Sequence, residues 1–133
     1  MADTLRLEVV TPSHRVLEAR AAEVRIPGAL GELGILPGHT PLLTSLGTGE
    51  LQWTEGSEHG RLVVQGGFAE VQPDAVTVLA TVADTVDEID LEAARTALAE
   101  AETALKTAAA EEFDAIDAAA RLAEARINAA TAG

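Results

Sequence analysis

The chain has no cysteine and no tyrosine, and its 133 residues include only three aromatic side chains, Trp53, Phe68 and Phe113. Without cysteine there is no disulfide framework, no thiolate zinc site and no cysteine nucleophile, which fits a reducing compartment. With so few aromatics, alanine, leucine and valine must fill any core. The only lysine is Lys106, far from any Gly-Lys-Ser/Thr run, so a phosphate-binding loop of that type is excluded. Basic residues are scarce: 9 Lys and Arg stand against 22 Asp and Glu, a formal charge of −13. Nucleic-acid binding needs a cationic face that this chain lacks. Adsorption to anionic lipid is disfavoured for the same reason. No apolar run is long enough to span a bilayer, and "MADTLRLEVV" lacks the cationic start and apolar core of a signal peptide. The expectation is a soluble, acidic protein with no direct membrane insertion.

What is present divides near residue 85. Before it, glycine and proline punctuate short runs of period two. "LRLEVV" sets Leu5, Leu7 and Val9 against Arg6, Glu8 and Val10, and "AEVRIPG" sets Val24 and Ile26 against Glu23 and Arg25. "GELQWTEG", "GRLVVQGG", "FAEVQPD" and "AVTVLATV" read the same way. Many short alternating runs with regular turn residues predict an antiparallel sandwich or barrel. "VQPDAV" predicts a hairpin turn, since Pro73 pre-sets one dihedral and Asp74 can bond the local backbone.

After residue 85 there is no proline, and no glycine until Gly133. Leu91, Leu98 and Leu105 recur every seven residues with Ala94, Ala101 and Ala108 between them, a helical seam. Asp90 is placed to cap its start. A second seam runs through Phe113, Ile116, Ala120, Ala123, Ile127 and Ala130, with Asp114 as its candidate cap. Two antiparallel helices broken near "AAAEEFD" is the preferred reading. One long helix is the alternative, since neither glycine nor proline forces a turn. Alanine seams bury little area, so this part should be the least stable.

The search for chemistry returns little. His14, His39 and His59 show no metal-ligand spacing, and no Gly-x-Ser-x-Gly elbow surrounds Ser45 or Thr40. Gly28, Gly31 and Gly34 are spaced by three, which is not the dinucleotide fingerprint. The densest stretch is "GELGILPGHTPLL", Gly31 to Leu43, where glycine, proline and aliphatic residues surround one histidine and one carboxylate. It reads either as a catalytic-histidine loop or as a stiff docking loop. No catalytic residue and no metal site is expected, and the residues alone favour a binding or structural part over an enzyme.

"GELGILPGHTPLLTSLGTGEL", then "GGFAEVQPDAVTVLA", then "EID" resemble the epsilon subunit of the F-type ATP synthase, and "LEVVTPSHRVLEA" is similar to that family's first hairpin. The likeness runs in order from Leu5 to Asp90 and continues loosely through the alanine-rich tail. It implies a β + α chain: a β-sandwich of about ten strands over residues 1–84, then a two-helix antiparallel hairpin over 85–133. It implies a non-catalytic central-stalk subunit, bound to the gamma subunit and the c-subunit ring, rotating with them and coupling ion flow to ATP synthesis in the alpha/beta head. It would be peripheral, on the cytoplasmic face of the bacterial plasma membrane. Glu32, Gly34, Pro37, Gly38 and His39 are the implied c-ring contact, stiffened by Pro37 and Pro41 and bent at Gly34 and Gly38. Leu33, Ile35 and Leu42 read more simply as core. The competing reading is a stand-alone β-sandwich binding module with a helical interaction tail.

Two departures concern the tail. Family members that bind ATP on this subunit carry Ile/Leu-Asp-x-x-Arg-Ala. Here the stretch is Ile89, Asp90, Leu91, Glu92, Ala93, Ala94, so Ala93 replaces the motif arginine and no ATP cofactor is expected. In several members a basic hairpin enters the head and restrains hydrolysis at an acidic segment of beta. From Thr85 onward this chain has 11 acidic and 4 basic residues, net 4 − 11 = −7. Arg121 and Arg126 are the only cations in the second helix. Regulation through contacts to alpha and beta is therefore expected to be weak.

Overall fold

A computed structural model describes residues 4–132. It contains eight strands: β1 (Leu5–Val10), β2 (Arg15–Ala21), β3 (Glu23–Gly28), β4 (Gly31–Ile35), β5 (Leu42–Ser45), β6 (Thr48–Glu55), β7 (Glu58–Gln72) and β8 (Ala75–Thr85). A 3-10 turn at Val86–Glu88 leads to α1 (Leu91–Leu105) and α2 (Ala110–Thr131). The alternation in β1 holds: Leu5, Leu7 and Val9 are fully buried and the residues between them face outward.

The sandwich arises from two long strands, β7 and β8, that fold over and belong to both layers. Residues 68–72 of β7 pair with β5 and with the first half of β8, while residues 58–65 pair with β6. The first half of β8 also pairs with β1, the one parallel ladder among the described residues. One layer is thus β2, β1, β8, β7 and β5, and the other is β8, β7, β6, β3 and β4. Eight strands supply ten segments, which reconciles the expected strand number with the observed one. "GRLVVQGG" and "FAEVQPD" are not two strands but one, bent at Gly66 and Gly67, whose φ angles are +73° and +88°. Only glycine adopts this region cheaply.

The core lies between the layers, in Leu5, Leu7, Val9, Val24, Ile26, Ile35, Leu51, Leu62, Val64, Val71, Val76 and Val78 with alanines filling the gaps. It is entirely aliphatic at its centre. Trp53 packs on its margin, lying over Gly60, its cross-strand partner.

The helices lie on the outer face of the second layer. Val63 alternates with the core residues Leu62 and Val64, so it points outward, yet it is fully buried because α2 covers it. Two polar links accompany this contact. Arg126 Nε donates to Asp84 Oδ2 at 2.7 Å, and Gln65 Nε2 donates to Thr48 Oγ1 and to the Ala118 carbonyl, each at 2.8 Å. Ala94 and Ala101 of α1 and Ala120 and Ala123 of α2 are buried, so close helix approach rests on alanine. The break falls at Lys106–Ala109, a few residues before "AAAEEFD" centres it. Ala109 precedes the helix and Glu112 accepts its N–H at 3.2 Å. Asp114 is therefore inside α2 and caps nothing, and Phe113 is exposed rather than part of the seam. At the joint from β8, the Thr85 hydroxyl and then its N–H donate to Glu88. These bonds hold that carboxyl below its ordinary range.

Candidate functional site

The stretch Gly31 to Leu43 is not one loop. It is an edge strand, a turn and the start of another strand. β4 pairs only with β3, in the register Val24↔Ile35, Arg25↔Gly34, Ile26↔Leu33, Pro27↔Glu32. Ile35 is core and Leu33 packs against it, as expected, whereas Leu42 stays partly exposed on edge strand β5. Glu32 and Gly34 alternate with them and line the outward side. Gly34 is in extended backbone, so the expected bend there is wrong. The bend is at Gly38, with φ +89°. Pro37 and Gly38 occupy the two central places of a turn closed by His39 N–H on the Leu36 carbonyl at 3.1 Å, the arrangement that favours proline then glycine. Gly38 N–H donates to the Pro73 carbonyl at 2.7 Å, fastening the turn to the β7–β8 turn.

The five residues therefore form a strip, not a tip. Glu32 and Gly34 lie along β4, and Pro37, Gly38 and His39 continue past its end. Glu32 sits 3.6 Å from Arg25 across the ladder. His39 Nδ1 meets the Thr40 carbonyl at 2.7 Å, so in the neutral ring this nitrogen carries the proton as donor. Among the described residues no group of three or more His, Asp or Glu converges on a metal-sized site.

A cleft of about 770 Å³ opens between this side of the sandwich and the hairpin. Pro27, Glu32 and Glu50 line one wall, and Leu98, Glu102 and Glu124 the other. Glu50 Oε1 is buried without a hydrogen bond; the Arg61 guanidinium is 3.5 Å away, close enough for charge pairing alone.

The tail residues are already in use. Asp90 caps α1 by accepting from Ala93 N–H at 3.0 Å, Ala94 is buried against α2, and Ile89 is half-buried. Arg95 donates to Glu92 at 3.0 Å. Arg121 Nε donates to Asp117 Oδ2 at 2.9 Å; this bond, then the charge of Asp117, makes the guanidinium still harder to deprotonate. Arg126 holds Asp84. The position of the motif cation is the methyl group of Ala93, and Arg95, Arg121 and Arg126 are each paired with a carboxylate of the chain.

Missed by the sequence reading is an apolar patch on the bare outer face of the first layer. Phe68 lies opposite Leu79 on the β7–β8 ladder, and Leu79 beside Val10 on the β8–β1 ladder. Phe68 is 46% and Leu79 41% exposed. The clue was present in "FAEVQPDAVTVLA", where both residues fall on the outward phase.

The described residues thus define a β-sandwich with a two-helix hairpin on one outer face and an apolar patch on the other. The ATP synthase delta/epsilon chain β-sandwich domain matches residues 4–86. The chain is 45% identical to "ATP synthase epsilon chain 2" of Syntrophotalea carbinolica, over 100% of this chain and 98% of that one. It is 49% identical to the ATP synthase epsilon chain of Geotalea uraniireducens, over 80% and 77%. A chain in the Euglena gracilis mitochondrial ATP synthase, solved as OSCP/F1/c-ring, superposes with a TM-score of 0.82 at 26% identity, over 93% of this chain and 79% of that one. A chain of the central stalk and c-ring of the Tetrahymena thermophila enzyme shares the fold, with a TM-score of 0.64 at 14% identity. The chain belongs to the ATP synthase epsilon family and is a non-catalytic part of that membrane-associated complex. No described helix is long and apolar enough to cross a membrane.

Proposed function

We propose that this chain bridges the gamma subunit and the c-subunit ring in the rotor of an ATP synthase, on the cytoplasmic face of a bacterial plasma membrane. Rotation driven by ion flow would pass through it as a passive, stiff body. The observation that carries this reading is the pair of unlike surfaces: the bare apolar face and the β4 strip. The gamma subunit takes the apolar face, because Phe68, Leu79 and Val10 form one contiguous patch that water solvates poorly. The c ring takes the strip from Glu32 through Gly34 to Pro37, Gly38 and His39. The turn there is pinned at both ends, so docking costs little conformational entropy.

The test is co-purification with gamma. The chain with Phe68→Ser and Leu79→Ser should lose about 2 kcal/mol of gamma affinity, roughly 30-fold, because two half-exposed apolar side chains no longer bury there. Full retention of affinity would place gamma elsewhere. A stand-alone binding module would show no gamma affinity in the unmodified chain.

Nucleotide is not part of this function. Asp90 caps α1 and Ala94 is buried, and the arginines of the hairpin are each paired with a carboxylate. Millimolar ATP should move the melting temperature of the isolated chain by less than about 1 °C, since a ligand stabilises only in proportion to its occupancy. A concentration-dependent rise would refute this.

The hairpin does not restrain hydrolysis in this reading. Its net charge repels an acidic partner, and Arg121 and Arg126 already have carboxylates.

A further inference from the structure

The bare face of the first layer is ordered in rows as well as strands. Leu7, Val9, Ala69, Val71, Val76 and Val78 are core, so the residues alternating with them point outward. Across the ladders Val10, Leu79 and Phe68 form one outward row. Two residues along the strands, Glu8, Thr77 and Glu70 form the next. β8 is the middle strand of this face, with β1 and β2 on one flank and β7 and β5 on the other.

The two flanks carry opposite charge. On the β1–β2 flank, Arg6 and Arg15 each bridge Glu8 and Glu18, at 2.9 to 3.8 Å. Arg20 lies opposite Arg6 on the same ladder. Every other arginine is ion-paired, whereas Arg20 has no ion pair among the described residues. Three guanidinium groups thus stand against two carboxylates, one net positive charge on a chain of −13. On the other flank Glu70 is exposed, and it too has no ion pair among the described residues.

An apolar middle between flanks of opposite sign matches a copy of itself turned over. We infer that the free chain pairs with a second copy through this face before it meets gamma. A twofold axis along β8 sets Leu79 against Leu79 of the second copy and Phe68 against its Val10. The same axis lays Glu70 over the second copy's β1–β2 flank, and each such contact occurs twice. The hairpin, with its net charge of −7, is on the far side of the sandwich and stays clear. Five strands about 4.8 Å apart and three rows of side chains give roughly 24 by 20 Å, about 1,000 Å² over both copies. That is small for a stable interface, and two strongly acidic bodies repel at longer range. The pair is therefore weak. It hides the apolar patch and yields to gamma. The competition with gamma rests on the proposed gamma contact; the pairing itself does not.

Sedimentation equilibrium of the full chain, from about 1 to about 300 µM at about 0.15 M salt, tests the pairing. A monomer–dimer equilibrium with a Kd of roughly tens of micromolar is expected. Leu79→Ser, present twice at the axis, should weaken it about tenfold or more. Glu70→Arg should weaken it roughly tenfold, because it sets like charges together on both flanks. Adding Arg20→Glu to Glu70→Arg should restore most of the affinity, since the two changes meet across the axis. Melting temperatures should stay within a few degrees of the unmodified chain, because these side chains point outward. If Leu79→Ser does not fold, the charge variants still decide. A single monomer mass at every concentration overturns the proposal. So does a dimer that neither Leu79→Ser nor Glu70→Arg weakens, which would place the contact on another face. A double variant as weak as Glu70→Arg alone overturns it as well. Added gamma should convert the dimer into a one-to-one complex. A complex with two copies per gamma would remove gamma from this face and leave the pairing standing.

Discussion

Gly67→Ala should unfold this protein or bring it to the edge of unfolding. A Cβ at Gly67 would lie on the Leu79 carbonyl oxygen, 2.9 Å from its carbon and 3.0 Å from the Ala80 Cα. All of these are backbone atoms, so no side chain can swing aside. The φ of +88° adds a left-handed penalty of about 1 kcal/mol or more for alanine. Relief requires β7 and β8 to separate where both cross between the layers, which also strains the bond from Leu46 N–H to the Gly67 carbonyl at 2.9 Å. A loss of about 4 kcal/mol or more is expected, a large share of the 5–15 kcal/mol typical of a domain. Urea titration followed by the single tryptophan, Trp53, reads this as a collapse of the midpoint. Gly66→Ala is the control: its nearest neighbours are Thr81 Oγ1 at 3.1 Å, which can rotate away, and Thr81 Cβ at 3.3 Å, which needs only a small shift, so a loss of about 1–2 kcal/mol follows mainly from its own positive φ. Equal midpoints for Gly67→Ala and the unmodified chain would mean that β7 does not turn the corner there.

The same corner explains what could and could not be read from the amino acids. Alternation identified the inward residues of β1 and β3 because a half-buried strand has period two. It could not reveal that "GRLVVQGG" and "FAEVQPD" are one strand, because adjacent glycines signal a turn and a bend within a strand equally well. β4 and β5 hid behind Gly31, Gly34, Pro37, Gly38 and Pro41. Pro37 and Pro41 were read as loop stiffeners and Gly34 and Gly38 as bends, but Gly34 lies in the extended backbone of an edge strand. The seam of α1 was legible in Ala94 and Ala101. In α2 it was legible only from Ile116 onward, since Phe113 precedes the region that touches the sheet. The links from hairpin to sandwich were invisible: Gln65 and Ala118 are 53 positions apart, Asp84 and Arg126 are 42 apart, and no local pattern connects them.

That last pair makes the strongest case that the hairpin is lightly held. Arg126→Ala should loosen both helices while leaving the sandwich intact. The pair is only partly buried, with the two side chains 34% and 24% exposed, so its worth is well below that of a fully buried ion pair. Removing the arginine also leaves Asp84 half-buried without a partner and strips the aliphatic stem that covers it. Together these amount to about 1–2 kcal/mol. Against a hairpin otherwise fastened by alanine packing, the cover over Val63 and the Gln65 bonds, that is a large fraction. Amide exchange in α1 and α2 should quicken by roughly tenfold or more, while β1, β3 and β8 keep their protection. The charge swap Asp84→Arg with Arg126→Asp should restore much of it, which a purely steric role for the arginine would not allow. Uniform quickening across strands and helices would instead show that the pair supports the whole fold. In the assembled complex the freed hairpin should leave ATP hydrolysis within about twofold of normal, because its net charge, −8 without Arg126, still opposes an acidic partner at any distance inside the screening length. Strong inhibition on release would mean that the tail acts through contacts its charge does not govern, and the reading of the hairpin as a passive brace would fall.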